Sequence, residues 1–257
     1  QEKVTLVAPS DSVAKRYRDL EPRLKQKQVN IVPHGLSKKF AKSLAPALPL
    51  EEPAERLRLV VLGRLTVEKG AHILAEVLEK ITCFADVFLL GAGESGAQFS
   101  SMPGVTVMAS YRKDELGELL RKFKPDLGLL LSTVPETFSY TLSELWAAGI
   151  PVLATRLGAF VDRVDQANNG WLVEPEPAAV LEQLRLLNGQ RDLLLQARGR
   201  LLQQTTRTAD SMVEDYAALE PKSELIPLNR YKLARRSYGN PYAQGGAEKP
   251  GPALHVN

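Results

Sequence analysis

The run Glu136-Thr137-Phe138-Ser139-Tyr140-Thr141-Leu142-Ser143-Glu144 puts two carboxylates on either side of a predicted helix start. The apolar residues 127–131 before it read as a buried strand, which delivers the chain to Ser132. Glu136 then falls in the loop, before the helix begins at 139–141, and can face a ligand. Glu144 falls one turn inside a helix that continues Leu145-Trp146-Ala147-Ala148. A carboxylate on so apolar a helix is costly to bury unless it accepts good hydrogen bonds. A ribose diol supplies two such bonds, and the free N–H groups at 139–141 suit a phosphate. The bland alternative is a helix N-terminus with acids placed to favour its dipole. That alternative accounts for Glu136 well and for Glu144 poorly.

A second candidate is Gly63-Arg64-Leu65-Thr66-Val67-Glu68-Lys69-Gly70. A strand ends, a glycine turns the backbone, and two cations follow in a loop that opens a helix. A diphosphate needs close backbone approach, fixed positive charge and N–H donors, and this loop offers all three. It lacks the Gly-x4-Gly-Lys-Ser/Thr spacing of a P-loop. Taken alone, Arg64 and Lys69 read more readily as solvated surface charges than as a binding pair. A third run, Gly91-Ala92-Gly93-Glu94-Ser95-Gly96, matches the dinucleotide fingerprint literally. Its context does not fit: residues 97–104 are too few for a crossover helix, and the run follows the second strand of the unit rather than the first. A loop that brings backbone close to a base or ribose remains open there.

Elements to hold these loops are legible around them. Continuous apolar runs at 59–62, 87–90, 127–131 and 151–154 read as buried parallel strands, with shorter ones at 105–107 and 171–173. Helical spacing occupies 73–81, 116–123 (with Asp114 as its capping candidate) and 142–148, closed by Gly149. Residues 178–219 are helical, with breaks near 188–189 and 205–208. Strands alternating with helices predict an α/β fold: a Rossmann-like parallel sheet with helices on both faces. Ligands on such sheets bind beyond the carboxyl ends of the strands, here the loops 63–70, 91–96, 110–113 and 132–141.

The flanks differ in character. Residues 1–35 hold two short strands (4–7 and 29–32) and one helix (12–20), too little to bury a core of their own. We expect them to be the last part of a further domain, incomplete here. Residues 36–56 read as an interdomain linker, 57–219 as the sheet domain, and 220–257 as a basic tail, expected to be disordered alone. Residues 221–257 carry six Lys/Arg against two Glu, so a net charge of +3 for the chain leaves residues 1–220 at −1. The body is thus no nucleic-acid surface by charge. Cys83, the lone cysteine, sits among apolar residues and is expected to be a buried thiol in a reducing compartment. The three histidines are too scattered for a metal site. No apolar run is long enough for a membrane span, and the N-terminus lacks a signal-peptide pattern.

Together these motifs resemble the retaining family-4 glycosyltransferases of the GT-B fold. The matching residues are Gly63-Arg64 with Lys69-Gly70, Gly91-Ala92-Gly93, the Glu136/Glu144 pair, Ala148-Gly149-Ile150-Pro151-Val152 and Gly158, with Ala8-Pro9-Ser10 and Val32-Pro33-His34-Gly35 at the N-terminal end. The resemblance covers roughly residues 1–219 and implies the C-terminal, donor-binding half of that fold plus a remnant of the N-terminal domain. It implies that Arg64 and Lys69 hold the diphosphate of the donor, that Glu144 binds the ribose, and that Glu136 orients the transferred sugar with backbone groups near Phe138, Ser139 and Tyr140. Tyr140 and Thr141 would reach the phosphates through their backbone. Gly63, Gly91 and Gly93 would let backbone approach the nucleotide, and the loop at Tyr111 would lie near the base. Ser139 stands where the family often has glycine, and Thr137 where proline or glycine is frequent, which leaves the identity of the sugar open. His34 replaces the family's common asparagine.

The implied activity is transfer of a sugar from a nucleotide-diphospho-sugar to a saccharide or lipid-linked acceptor with retention, with no cofactor and no metal. The expected setting is the cytoplasm, including peripheral contact with the inner face of the membrane, and no nucleic-acid partner. This chain alone is expected to bind donor without transferring sugar. A sugar-nucleotide epimerase of the same fold and a non-catalytic binding module are the alternatives.

Overall fold

The structure, a computed structural model, describes residues 4–46 and 54–219. The expectation for the tail at 220–257, and the part of the linker at 47–53, lie outside these residues. Six strands form one parallel sheet: β3 (Leu57–Leu62), β4 (Ala85–Leu90), β5 (Val105–Met108), β6 (Leu127–Leu130), β7 (Val152–Thr155) and β8 (Gly170–Val173). Their spatial order is β5-β4-β3-β6-β7-β8, the doubly wound order, in which the direction of assembly reverses between β3 and β6. Seven helices accompany the sheet or follow it: α3 (Ala71–Thr82), α4 (Leu116–Phe123), α5 (Tyr140–Ala147), α6 (Ala159–Ala167), α7 (Pro177–Gly189), α8 (Arg191–Gln203) and α9 (Ala209–Leu219). Two strands, β1 (Leu6–Ala8) and β2 (Val29–Ile31), pair in parallel before it, joined by α1 (Asp11–Leu20).

Alternation along the central strand divides the core. Leu57, Leu59 and Val61 face α3 and α7, where Ile73, Leu74, Val77, Leu78, Val180 and Leu184 are buried. Val60 and Leu62 face the opposite layer, with Leu120, Leu142, Leu145 and Phe160. Successive side chains of a strand leave opposite faces of the sheet, so an unbroken apolar strand needs helices on both sides. It gets them.

Two helices escaped the periodicity reading. Residues read as linker contain α2 (Lys38–Leu44), capped by Ser37, whose hydroxyl accepts from the N–H of Phe40. Its Phe40 and Leu44 are buried in the second core layer. The second, α6, carries only short apolar spacing (Phe160, Val161, Val164) between Gly158 and Asn168. Two local expectations are corrected. Cys83 is exposed, because it caps the end of α3 just past the buried Ile81 rather than pointing inward. Asp114 is not the cap of α4: a short 3-10 turn (Lys113–Glu115) precedes that helix, and Glu115 bonds the N–H of Arg112 while Asp114 pairs with the Arg112 guanidinium. Residues 94–99, read as open loop, also form a 3-10 turn (Glu94–Phe99).

Candidate functional site

A cleft of about 790 Å³ opens beyond the carboxyl ends of β3, β4 and β5, a size suited to a nucleotide-like ligand. Gly63 and Arg64 line it from the loop after β3, Gly91 and Gly93 from the loop after β4, Tyr111 and Lys113 from the loop after β5, and Glu144 from α5. Arg64 is exposed, and among the described residues no carboxylate pairs with it. Glu144 is half-buried, and its carboxylate accepts no hydrogen bond among the described residues. Burial raises Glu144 above the ordinary carboxylate range, and the Lys113 ammonium draws it part of the way back. Tyr111 beside it is pushed up to about 12, by burial first and then by the Glu144 charge. Among the described residues, the cleft therefore shows a cation with no carboxylate partner and a carboxylate with no hydrogen bond.

Lys69 and Glu136 form a neighbouring cluster. The Lys69 ammonium donates to the Glu136 carboxylate, which also accepts from the Ser132 hydroxyl at 2.5 Å. The two loops are zipped together: the Thr133 N–H donates to the Glu68 carbonyl at 2.9 Å and the Thr133 hydroxyl to that of Val67 at 3.1 Å. Gly70 permits the approach, since a Cβ there would lie 2.0 Å from the Leu131 carbonyl oxygen. Gly158 does the same from the other side, where a Cβ would meet the Glu136 carbonyl oxygen at 2.5 Å. The Glu136 carbonyl accepts from the Ala159 N–H at 2.8 Å. Glu136 is thus fixed at its carboxylate by the Lys69 and Ser132 side chains and at its backbone by the Gly158–Ala159 turn.

The start of α5 is as the sequence predicts, with Ser139 as the N-cap. Its hydroxyl accepts from the N–H of Leu142 at 3.3 Å. It does so at φ 66°, ψ 94°, a left-handed backbone that is strained for a side-chain-bearing residue. The N–H groups of Ser139, Tyr140 and Thr141 have no partner among the described residues. Phe138 enters by backbone alone: its ring is buried, edge-on to His34 at 4.9 Å and under the Arg163 guanidinium at 4.0 Å. The Tyr140 ring stacks on His34 at 5.4 Å. Burial, and then the Arg163 charge, hold His34 below the ordinary imidazole range.

The structure therefore gathers Gly63, Arg64, Gly91, Gly93, Tyr111 and Glu144 in one cleft, and sets Lys69 with Glu136 as a second cluster bound to the same loops. Phe138 and Tyr140 turn their rings toward the N-terminal segment instead. Three features escaped the sequence reading. Lys113 lines the cleft; it sits in a loop already singled out, two residues after Tyr111. Arg163 holds the carbonyls of Phe138 and Ser139, and its only sequence signal was a charge on an unread helix. Ser10, Ser12 and Asp162 bond the N-terminal segment to the site loops, across a sequence distance that no local pattern spans.

The sequence profile described as glycosyl transferases group 1 matches residues 56–188. WcaL of Escherichia coli (strain K12), a glycosyltransferase named for colanic acid biosynthesis, is 27% identical over 154 residues, which are 52% of this chain and 36% of WcaL. The solved structure of WaaG, a glycosyltransferase involved in lipopolysaccharide biosynthesis, superposes with a TM-score of 0.65 at 18% identity over 86% of this chain and 64% of WaaG. HepE of Anabaena, solved in complex with UDP-glucose, gives 0.63 at 18% identity over 84% of this chain and 64% of HepE. At such identities the two structural likenesses concern the fold, a parallel six-stranded sheet flanked by helices. The chain spans about a third of the length of WcaL and under two thirds of the two structures.

Proposed function

This chain belongs to the glycosyl transferases group 1 family, and from that we propose that it supplies the donor site of a retaining GT-B glycosyltransferase. One observation carries the reading: Arg64 and Glu144 face the same cleft, and among the described residues no carboxylate pairs with Arg64 and Glu144 accepts no hydrogen bond. A nucleoside diphosphate would satisfy both, with phosphate at the cation and ribose hydroxyls at the carboxylate. Tyr111 lies beside Glu144, where the base would stack or pack.

In such a transfer the bond from the anomeric carbon to phosphate breaks. Negative charge grows on the departing diphosphate while the sugar gains oxocarbenium character. Fixed donors that face this charge stabilise it without having to reorganise. Arg64, Lys69 and the N–H groups at the start of α5 are the donors here, and the proposed mechanism asks nothing of a divalent metal. Lys69 is held by Glu136 in the structure, so an arriving diphosphate exchanges one anionic partner of Lys69 for another. Glu136 is then released toward the sugar hydroxyls, which is our role for it. The separation of jobs argues against a glycosidase-type carboxylate pair, since Glu144 lies beside the ribose position and away from the anomeric carbon.

The acceptor would be a saccharide or a lipid-linked saccharide, held mainly by an acceptor-side domain to which residues 1–35 would contribute. We place the reaction in the cytoplasm, with peripheral contact at the membrane; among the described residues no helix is long and apolar enough to cross one.

The test is binding. UDP, GDP, dTDP and ADP are each titrated into the chain and followed by thermal shift, since a ligand that binds the folded state raises its stability by mass action. At least one should bind. Arg64→Ala with Lys69→Ala should then cost more than about 1 kcal/mol of affinity, the loss expected of charge-assisted contacts. Unchanged affinity in the double variant would remove the diphosphate assignment.

A further inference from the structure

Arg163 belongs to a different surface from the donor cleft. With His34, Phe138 and Trp146 it lines a second cleft of about 370 Å³, between the N-terminal segment and α5. Its Nη1 donates to two successive carbonyls, Phe138 at 2.6 Å and Ser139 at 2.8 Å. Its Nη2 donates to the Ser143 hydroxyl at 2.8 Å. The guanidinium lies 4.0 Å from the Phe138 ring centroid and 5.3 Å from that of Trp146. Among the described residues it has no carboxylate partner; the adjacent Asp162 is taken by the Ser12 N–H at 2.7 Å.

Two consequences follow from elementary geometry. A trans peptide directs its C=O and its N–H to opposite sides. With the Phe138 and Ser139 carbonyls turned to Arg163, the N–H groups of Ser139 and Tyr140 must point the other way, and both lack a partner among the described residues. Successive carbonyls do not converge on one point in a strand. The left-handed backbone at Ser139 (φ 66°) is what brings them together, and the guanidinium bonds offset its strain. Burial lowers the Arg163 guanidinium to about 10, so it stays charged at neutral pH. Its charge sits at the positive end of α5, where it adds to the attraction for an anion beyond the N–H groups.

We propose that Arg163 is a positioning residue of the donor site. By clamping two successive carbonyls, and as a cation with no carboxylate partner among the described residues, it aims the Ser139 and Tyr140 N–H groups at the distal phosphate of the nucleotide. This rests on the donor-site reading above. It assigns Arg163 to discrimination between di- and monophosphates, a property that a merely packed arginine would not have.

The experiment compares the full chain with Arg163→Met, which keeps the apolar stem between Phe138 and Trp146, and with Arg163→Lys, which keeps the charge but loses the fork. Each is titrated with UDP, GDP, dTDP and ADP and with the matching monophosphates. In Arg163→Met the preferred diphosphate should weaken about tenfold or more, the scale of a charge-assisted contact, while its monophosphate changes by less than about twofold. Arg163→Lys should fall between. In the wild type, amide resonances of Ser139 and Tyr140 should shift on adding the diphosphate and hold still for the monophosphate. That reading decides the matter should the methionine variant fail to fold. A parallel loss for both ligands, or an unmoved Ser139 and Tyr140, overturns the Arg163 assignment alone. A wild type that binds no diphosphate overturns the donor-site reading and this inference with it.

Discussion

Glu144 shows at the scale of one residue how a site is held at the expense of stability. Burial raises its carboxyl above the ordinary value, so the folded state disfavours the ionised form. The sign is then fixed. Below the carboxylate range Glu144 is protonated in both states and costs nothing. As pH rises from the ordinary glutamate value toward the higher folded one, the unfolded state ionises first and stability is lost, and the loss levels off above the folded value. Glu144→Gln should therefore melt above the wild type at pH 7.5, by a few degrees at most, since about 1 kcal/mol corresponds to roughly 2–4 °C at this chain length. The difference should vanish near pH 4, below the usual glutamate value of about 4.3. The same variant should lose nucleotide affinity by about tenfold. A lower melting temperature at pH 7.5 would show that Glu144 has a protein partner after all. The sequence made this residue legible through a simple conflict, a carboxylate on an apolar helix. It gave no such sign for Lys113, whose importance depends on a side chain thirty-one positions away.

At the scale of elements, the site is a crossing of loops rather than a motif. The loop after β6 carries Glu136, and the loop after β7 passes against it at Gly158, where β-type pairing joins the two residues. Gly158 takes φ 54°, and a Cβ there would strike backbone on both the nitrogen and the oxygen of Glu136. Gly158→Ala should destabilise by about 2 kcal/mol or more, through left-handed strain together with a backbone clash. It should also displace Glu136 and free Lys69. Denaturant unfolding measures the first effect, and diphosphate titration the second. An alanine variant of wild-type stability would mean that the two loops yield easily. Strands and helices here were readable because their apolar spacing is long and regular. The α2 helix was not, since its seven residues hold only two buried side chains amid Ala, Pro and Leu that also suit a linker.

For the whole molecule, the N-terminal segment and the sheet are one compact unit, Gln1–Leu219. The Ser10 hydroxyl donates to the Thr137 carbonyl at 2.9 Å, the Ser12 N–H to Asp162 at 2.7 Å, and the Ser12 hydroxyl to the Gly158 carbonyl at 2.9 Å. All three bonds end on site loops or on α6. Farther along, the Leu36 N–H donates to the Arg207 carbonyl at 3.0 Å and the Ala209 N–H to the Leu36 carbonyl at 2.7 Å, tying the chain between β2 and α2 to the start of α9. Asp162→Ala should therefore raise hydrogen exchange across α1 while β3, β6 and β7 keep their protection. Exchange that rises equally in the sheet, or not at all in α1, would contradict this linkage. Local opening of this kind is the ordinary behaviour of a unit attached by few bonds.

The sequence by itself determined the alternation of strands and helices, the loops beyond the strand ends, and the residue types a diphosphate and a ribose require. Each is written in spacing along the chain, where period and charge are local properties. Only the tertiary structure decided that Arg64 and Glu144 share a cleft, that Lys69 is held by Glu136, that Cys83 faces outward, and that Arg163 grips the turn into α5 from behind. Those depend on which surfaces meet when the helices fold onto the sheet, and packing between distant segments leaves no period in a sequence to be read.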